Sequence, residues 1–406
     1  MTDAAEVSDE SGFGIYVHFP WCLRKCPYCD FLSIAREPAT LPHEAYADAL
    51  LAELARRGMP ASGAGPNAPG PGSIFFGGGT PSLWQPGALG RVLRRLCEVA
   101  PAPVEEITVE CNPSSLNYDT ARALLDQGVN RLSIGVQGLD PARLAFLGRW
   151  HSPEEALRAL RDALRAGLPR VSADLIFGVQ GQTAAAAAEA ASILAAEGIT
   201  HLSAYALTIE AGTQFGQLQR QGKLPLLTED AVAECYLAVE RALEGAGFAH
   251  YEISNYAREG HRAAHNLGYW RGWDYLGLGV GAWGTVTDAE GKVRYRNTVV
   301  PERYLQPGAW QNATLSEAGS GGLVREWERI TPETALSERI MLGLRLSEGI
   351  DVDAQAAQLG VVAWPANRRK ARDKRLQRGD LMQMGRRLRI APEAWLRADG
   401  IIGELM

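Results

Sequence analysis

The sequence predicts an α/β protein: an open, partial (β/α)6 barrel followed by a small winged-helix-like α+β domain at the C-terminus. Three observations carry this. Short apolar, β-rich runs alternate with helical stretches at spacings of about 30 residues, the pattern of βαβ units in a parallel sheet. Six such units fit before residue 210, where a complete barrel needs eight. Beyond residue 330, helical stretches run into a hairpin pattern.

The expected strands are Gly14–Phe19, Ser73–Phe76, Glu106–Glu110, Arg131–Val136, Arg170–Phe177 and His201–Leu207. Between them lie expected helices at His43–Arg57, Gly87–Val99, Leu116–Gln127, Pro153–Ala166 and Ala184–Glu197. The last opens on five consecutive alanines, the strongest helix former. Ala61–Gly72 is Gly/Pro-rich and predicts a surface loop. Past Glu210 the character changes. Glu229–Glu244 is an amphipathic helix pattern, and Tyr251–Arg296 is rich in Gly, Tyr and Trp. Thr331–Leu346 opens the C-terminal part; Val352–Leu359 and Asn367–Arg378 continue it as helices, and Leu381–Ile390 closes it as a hairpin around Gly385. The organisation expected is a flexible N-terminus over 1–12, a barrel over 13–240, an extension over 241–325 and a C-terminal domain over 326–406.

The chain has 406 residues, 46% of them hydrophobic and 22% charged, with a formal charge of -6. These globular values exclude disorder and collagen-like repeats as whole-chain descriptions. No run approaches the roughly 18 apolar residues of a membrane span. The N-terminus is acidic and carries no signal-peptide pattern. Six cysteines are too sparse for a disulfide-built secreted protein, so a reducing, cytoplasmic setting is expected.

Three of those cysteines cluster. WCLRKCPYCDF places Cys22, Cys26 and Cys29 in a C-x-x-x-C-x-x-C loop directly after the first strand. Three thiolates in one tight loop suit a soft metal centre. A structural zinc site wants a fourth ligand, and no Cys or His follows closely. A four-iron, four-sulfur cluster on three cysteines leaves one iron open. Zinc and inert thiols remain the alternatives. Cys97, Cys111 and Cys235 lie in helix- or strand-like context, where a free cysteine is usually a small buried hydrophobe.

Other residues fall at the C-terminal rim, where parallel α/β proteins bind ligands. Gly77-Gly78-Gly79-Thr80 follows the second strand, and glycines let backbone approach a ligand closely. Glu110, Gln137 and Asp174 end later strands, and Tyr16 within the first strand faces the same cavity.

The cysteine spacing is that of radical SAM proteins. YVHFPWCLRKCPYCDF, FFGGGTPSLW, NRLSIGVQ, DLIFG and HNLGYW together resemble the oxygen-independent coproporphyrinogen III oxidase family, and within it the HemW heme-chaperone branch. The similarity runs from about residue 12 to the C-terminus. It implies a [4Fe-4S] cluster on Cys22, Cys26 and Cys29. It also implies an S-adenosyl-L-methionine (SAM) site made by Tyr16, Gly77, Gly78, Thr80, Glu110, Gln137, Arg149 and Asp174, with Tyr28 stacked near the adenine. Arg149 is expected to pair with a carboxylate. Two departures separate the chain from the oxidases. The oxidases carry a fourth cysteine two positions after the third, where this chain reads Cys29-Asp30-Phe31, and only 21 residues precede Cys22 where they have a long segment. Both favour a heme chaperone over coproporphyrinogen decarboxylation, so enzymatic activity stays open.

His265, in HNLGYW, matches the HNxxYW signature of the HemW branch, which makes it the expected heme ligand. Imidazole is a common axial ligand, and Tyr269, Trp270 and Trp273 are placed to cover the macrocycle. A structural role in an aromatic packing motif is the alternative. The expected partners are heme and heme-acceptor proteins, some membrane-bound. Between Arg368 and Arg389 ten Lys/Arg oppose two Asp/Glu, a local charge of 10 - 2 = +8, which suggests peripheral contact with an anionic membrane surface. No nucleic-acid partner is expected.

Overall fold

The computed structural model describes residues 12–59, 72–311, 313–315 and 322–406. Apart from Gly12 and Gly72, the expected flexible N-terminus and the Ala61–Gly72 loop lie outside them. Six parallel strands follow in chain order: β1 (Phe13–Phe19), β2 (Gly72–Gly78), β3 (Val104–Cys111), β4 (Arg131–Gln137), β5 (Arg170–Phe177) and β6 (His201–Ala206). The five longest helices between them are α1 (His43–Arg57), α2 (Pro86–Val99), α3 (Tyr118–Asp126), α4 (Pro153–Arg165) and α5 (Ala184–Ala196). Their starts are built locally. Ser152 and Glu155 form a reciprocal capping box before α4, and the Asn117 and Thr183 side chains cap α3 and α5.

Side chains alternate across each strand. Ile15, Val17, Ile74, Phe76, Val109, Leu132, Ile134, Val171 and Leu202 pack into one apolar core under the helices. The intervening positions, including Tyr16, Phe75, Glu110, Ser133, Asp174 and Ser203, face the other way and line the interior of the partial barrel.

The sheet is larger than six strands. α6 (Glu229–Gly245) leads to β7 (Ala249–Glu252) and β8 (Asn255–Ala257), which extend the β6 edge in antiparallel fashion. α7 (Ala264–Trp270) is followed by β9 (Asp274–Gly279), which pairs parallel to β1 on its free side. β10 (Trp283–Asp288), β11 (Gly291–Asn297) and β12 (Val324–Ile330) complete an antiparallel meander. The order is β12-β11-β10-β9-β1-β2-β3-β4-β5-β6-β8-β7. β1 and β6 therefore never meet, and the barrel stays open. The six expected units are present, and β9 adds a seventh parallel strand beside them.

The C-terminal part matches its expectation closely. α8 (Pro332–Gly343), α9 (Val352–Leu359) and α10 (Ala366–Gln377) precede a hairpin of β13 (Leu381–Met384) and β14 (Arg387–Ile390), turning at Gly385 with φ 58. They share a second apolar core including Leu336, Ile340, Leu388, Trp395 and Ile401. This core joins the sheet where Ile253 N–H donates to Arg345 (3.1 Å) and Ser347 N–H to Tyr251 (3.0 Å). The basic run is less of a charged face than its sequence implies. Lys374 and Arg375 pair with Glu404, Arg386 with Asp351 and Arg387 with Glu348, while buried Arg368 donates to the Leu405 carbonyl. Among the described residues, no helix is long and apolar enough to cross a membrane.

Candidate functional site

The three-cysteine loop leaves β1 at the C-terminal rim. Trp21 and Cys22 pair briefly with Ile34 and Ala35, Ile34 N–H donates to Pro20 and Arg36 N–H to Cys22, so the loop is pinned at its neck. His18 holds its far side. The Leu32 carbonyl can only accept, so His18 Nε2 carries the proton (2.8 Å) and Nδ1 accepts from the Tyr16 hydroxyl (2.9 Å). Burial lowers the His18 pKa to about 4, which keeps this relay neutral. Each cysteine sulfur has a polar neighbour. Thr80 Oγ1 donates to Cys22 Sγ (3.3 Å), Arg149 Nη1 to Cys26 Sγ (3.6 Å), and Ser33 Oγ lies 3.9 Å from Cys29 Sγ. Donors aimed at sulfur stabilise thiolate ligands, so the loop fits an iron–sulfur group. Burial raises the Cys22 thiol to about 11 and that of Cys29 above its ordinary value, so these thiols ionise only against compensating positive charge. Cys111 and Cys235 are buried in the core as expected, but Cys97 is exposed on α2, against expectation.

The glycine run abuts this loop, and its first need is internal packing. A Cβ at Gly78 (φ 107) would sit 2.4 Å from the His18 ring, and one at Gly79 would sit 2.5 Å from the Trp21 carbonyl oxygen. Gly78 N–H donates to Glu110 Oε2 (2.9 Å). Burial, with Asp174 nearby, lifts the Glu110 carboxyl to about 7 against the Gly78 bond that lowers it. Asp174, raised by burial, accepts from Ser133 Oγ at 3.1 and 3.2 Å. Tyr16 sits between His18 and Phe75, and burial raises its phenol well above 10. Gln137, ending β4, has φ 65, the one positive value outside glycine among the described residues. Such strain concentrates at functional rims. Arg149 bridges Cys26 and the Gly135 carbonyl (2.6 Å), with Nε buried and unpartnered. Tyr28 packs against Phe215, 6.5 Å between rings. The structure thus gathers Tyr16, Gly77, Gly78, Thr80, Glu110, Gln137, Arg149 and Asp174 around the cysteine loop. His18 was missed in the sequence; its signal was its place two residues after Tyr16, on the same strand face.

His265 is not at this rim. α7 lies against the N-terminal ends of β1 and β2, where it closes the floor of the partial barrel. His265 is 3% exposed, with Nδ1 bonded to Ser73 Oγ (2.9 Å), Nε2 to the Tyr269 hydroxyl (3.0 Å) and the ring stacked on Phe75. Burial lowers its pKa to about 4. The start of α7 is clamped by Glu106, which accepts from Ala264 N–H and His265 N–H, both at 3.0 Å. Glu106 is itself paired with buried Arg131 (2.9 Å), which also donates to the His261 and Arg262 carbonyls. Trp273 packs against Gly268 and Gly12, and Trp270 joins the apolar contact of Tyr251 and Leu346. The expected open aromatic face for a macrocycle is therefore interior packing here.

Residues 16–194 match the radical SAM superfamily, and residues 330–397 match the HemN C-terminal domain. The chain is 34% identical over 395 residues to a Mycobacterium tuberculosis protein named heme chaperone HemW, covering 97% of this chain and 95% of that one. It is 38% identical over 294 residues to heme chaperone HemW of Escherichia coli K12, covering 72% and 75%. The solved structure of coproporphyrinogen III oxidase HemN from Escherichia coli, described as a radical SAM enzyme, shares its fold. That match has a TM-score of 0.75 at 20% identity and covers 97% of this chain and 90% of that one. With the three-cysteine loop at the rim of an open parallel barrel and this likeness along nearly the whole length, the chain belongs to the HemW branch of the HemN family of radical SAM proteins.

Proposed function

We propose that the protein is a heme carrier that holds a SAM-ligated [4Fe-4S] cluster at its barrel rim and passes heme to an acceptor protein. The observation that carries the reading is the rim itself, three cysteines with a directed polar neighbour at each sulfur, in a chain similar along 97% of its length to a protein named heme chaperone HemW. Cys22, Cys26 and Cys29 hold the cluster, which supplies one-electron chemistry when bound. Tyr16, Gly77, Gly78, Thr80, Glu110, Gln137, Arg149 and Asp174 hold SAM, with Tyr28 beside the adenine. The rim offers SAM the partners its charges need: the carboxyls of Glu110 and Asp174 on one side and the Arg149 guanidinium on the other. A cytoplasmic setting suits it, since none of the six cysteines is in a disulfide.

Coproporphyrinogen decarboxylation is the second reading, favoured by the fold shared with HemN. Asp30 and Phe31 stand where the resemblance places a fourth oxidase cysteine, which supports carriage instead. Anaerobically reconstituted protein is to be titrated with heme and, separately, with coproporphyrinogen. The expected result is a saturable Soret band and no protoporphyrinogen. Conversion above about one turnover per second, an ordinary enzymatic rate, overturns the carrier reading. The Soret band of His265→Ala beside the parent tests the floor histidine: an unchanged band and affinity remove it as ligand.

A further inference from the structure

We propose that Arg149 sets the reduction potential of the rim cluster, its guanidinium acting through the Cys26 thiolate to favour the reduced form. The inference rests on Cys22, Cys26 and Cys29 as the cluster ligands and names a residue that governs how readily the cluster takes an electron.

The three sulfurs do not have equal neighbours. Thr80 Oγ1 and Ser33 Oγ, beside Cys22 and Cys29, are neutral hydroxyls. Arg149 Nη1, 3.6 Å from Cys26 Sγ, belongs to a side chain that stays protonated in proteins. The chain fixes that cation in place. Nη2 donates to the Gly135 carbonyl near the end of β4 (2.6 Å), and the Arg149 backbone N–H donates to the Leu144 carbonyl (2.9 Å). Two residues on, His151 Nε2 donates to the Val136 carbonyl (3.0 Å), a second tie to the same strand. Two glycines make room for this arrangement. A Cβ at Gly135 would sit 2.9 Å from Arg149 Nη2, and one at Gly148 (φ 70) would sit 2.5 Å from Pro27 Cδ, next to Cys26. The segment carrying Arg149 is thus pressed against the cysteine loop on one side and tied to β4 on the other.

Reduction by a one-electron donor adds one negative charge to the cluster and its thiolates. A fixed cation in contact with one ligand sulfur stabilises that added charge, and a hydrogen bond to the sulfur acts in the same direction. Water screens such a contact little where the groups are buried. Arg24 gives the contrast. It lies between Cys22 and Cys26 in the same loop, but it is exposed and its guanidinium stacks over Trp150, 5.1 Å from the ring centre. Solvent and salt screen a charge placed there. The Nε of Arg149 is buried without a protein partner, so one donor is left for SAM while the two terminal nitrogens hold Cys26 and Gly135.

The test is an anaerobic redox titration of the reconstituted full chain, read from the electron paramagnetic resonance signal of the reduced cluster. Iron per chain and far-UV circular dichroism report whether each variant is loaded and folded. Arg149→Met removes the charge at similar reach. It is expected to lower the ratio of reduced to oxidised cluster at a fixed potential by about tenfold or more, which is about 59 mV for one electron. Arg149→Lys keeps a cation without the planar fork and is expected to recover part of that shift. Arg24→Gln is expected to leave the ratio within about twofold. A merely structural role for Arg149 would lower iron loading without moving the potential of the clusters that form. A second measurement needs no variant: in parent protein grown on arginine labelled with heavy nitrogen, pulsed resonance of the reduced cluster is expected to show coupling to the labelled nitrogen. A loaded Arg149→Met variant with the potential of the parent, or a labelled parent without that coupling, overturns the proposal and leaves the cluster ligands standing. A parent that assembles no four-iron cluster overturns the ligand assignment and the proposal with it.

Discussion

Replacing Glu106 by Ala tests whether the floor of the barrel is held by its buried ion pair. The Glu106 and Arg131 side chains are 3% and 2% exposed, and the carboxylate accepts from Arg131, Ala264 N–H and His265 N–H. Removing it leaves the Arg131 charge uncompensated, which costs about 3–5 kcal/mol. The two amides that lose their acceptor add about 1 kcal/mol each. The sum, about 5–7 kcal/mol, is comparable with the whole stability of a typical domain, about 5–15 kcal/mol. α7 has only seven residues and cannot persist alone, so the damage is expected to appear as local opening before global unfolding. Urea denaturation measures the total, and amide exchange at Ala264 and His265 measures the opening. Replacing both partners by apolar residues of similar size, Glu106→Leu with Arg131→Met, is expected to recover part of the loss because no charge is then stranded. A single-variant loss below about 1 kcal/mol, or a double variant less stable than the single one, refutes the clamp.

Cys22→Ala is expected to abolish iron uptake on anaerobic reconstitution while exposed Cys97→Ser retains it, read as iron per chain. Gly78→Ala places a methyl 2.4 Å from the His18 ring at a φ of 107, so a loss of about 2–4 kcal/mol in thermal or urea melts is expected, with reduced iron loading. Glu110 carries a pH signature. Its carboxyl is raised from 4.5 to about 7 in the fold, so the folded protein holds that proton more tightly than the unfolded chain. Its contribution is complete below about pH 4.5 and is lost as pH rises to about 7, by about 2–3 kcal/mol allowing for partial solvent contact. Glu110→Gln is expected to flatten that slope, and an unchanged slope removes Glu110 as its source.

The strand–helix alternation was legible because buried parallel strands read as short apolar runs between helical stretches. Arg170–Phe177 and His43–Arg57 form at the expected residues. β9 was not legible. DYLGLG is a poor strand former on its own, and its partner β1 lies some 260 residues earlier. At Gly277 a Cβ would meet the Trp283 carbonyl oxygen at 1.8 Å, so packing that no local pattern reports determines the residue. The rim cysteines and carboxylates were legible as spacing and as strand ends. The packing of His265 on the floor was not, because no local pattern reports its partners. What decides its place are bonds to Ser73 and Glu106, 192 and 159 positions away. The ion pairs of the basic C-terminal run were not legible for the same reason: the acids Glu404, Asp351 and Glu348 lie outside the run.

The pairing of β1 with β9 sets an order of events during synthesis. The six strands that follow in sequence are complete once Ala206 has left the ribosome, but the outer edge of β1 stays bare until Gly279 follows it. At 5–20 residues per second, those roughly 70 residues take about 4–15 s. Over that interval an apolar strand containing Ile15, Val17 and Phe19 presents unpaired backbone on the nascent chain, the arrangement most prone to illegitimate pairing. His18, which steadies the cysteine loop, is among the β1 residues that gain their second strand neighbour only when Gly279 docks. Metal loading of that loop therefore belongs after about two-thirds of the polypeptide has been made. An iron–sulfur donor that engages the chain earlier meets a ligand loop whose supporting strand is still open on one side.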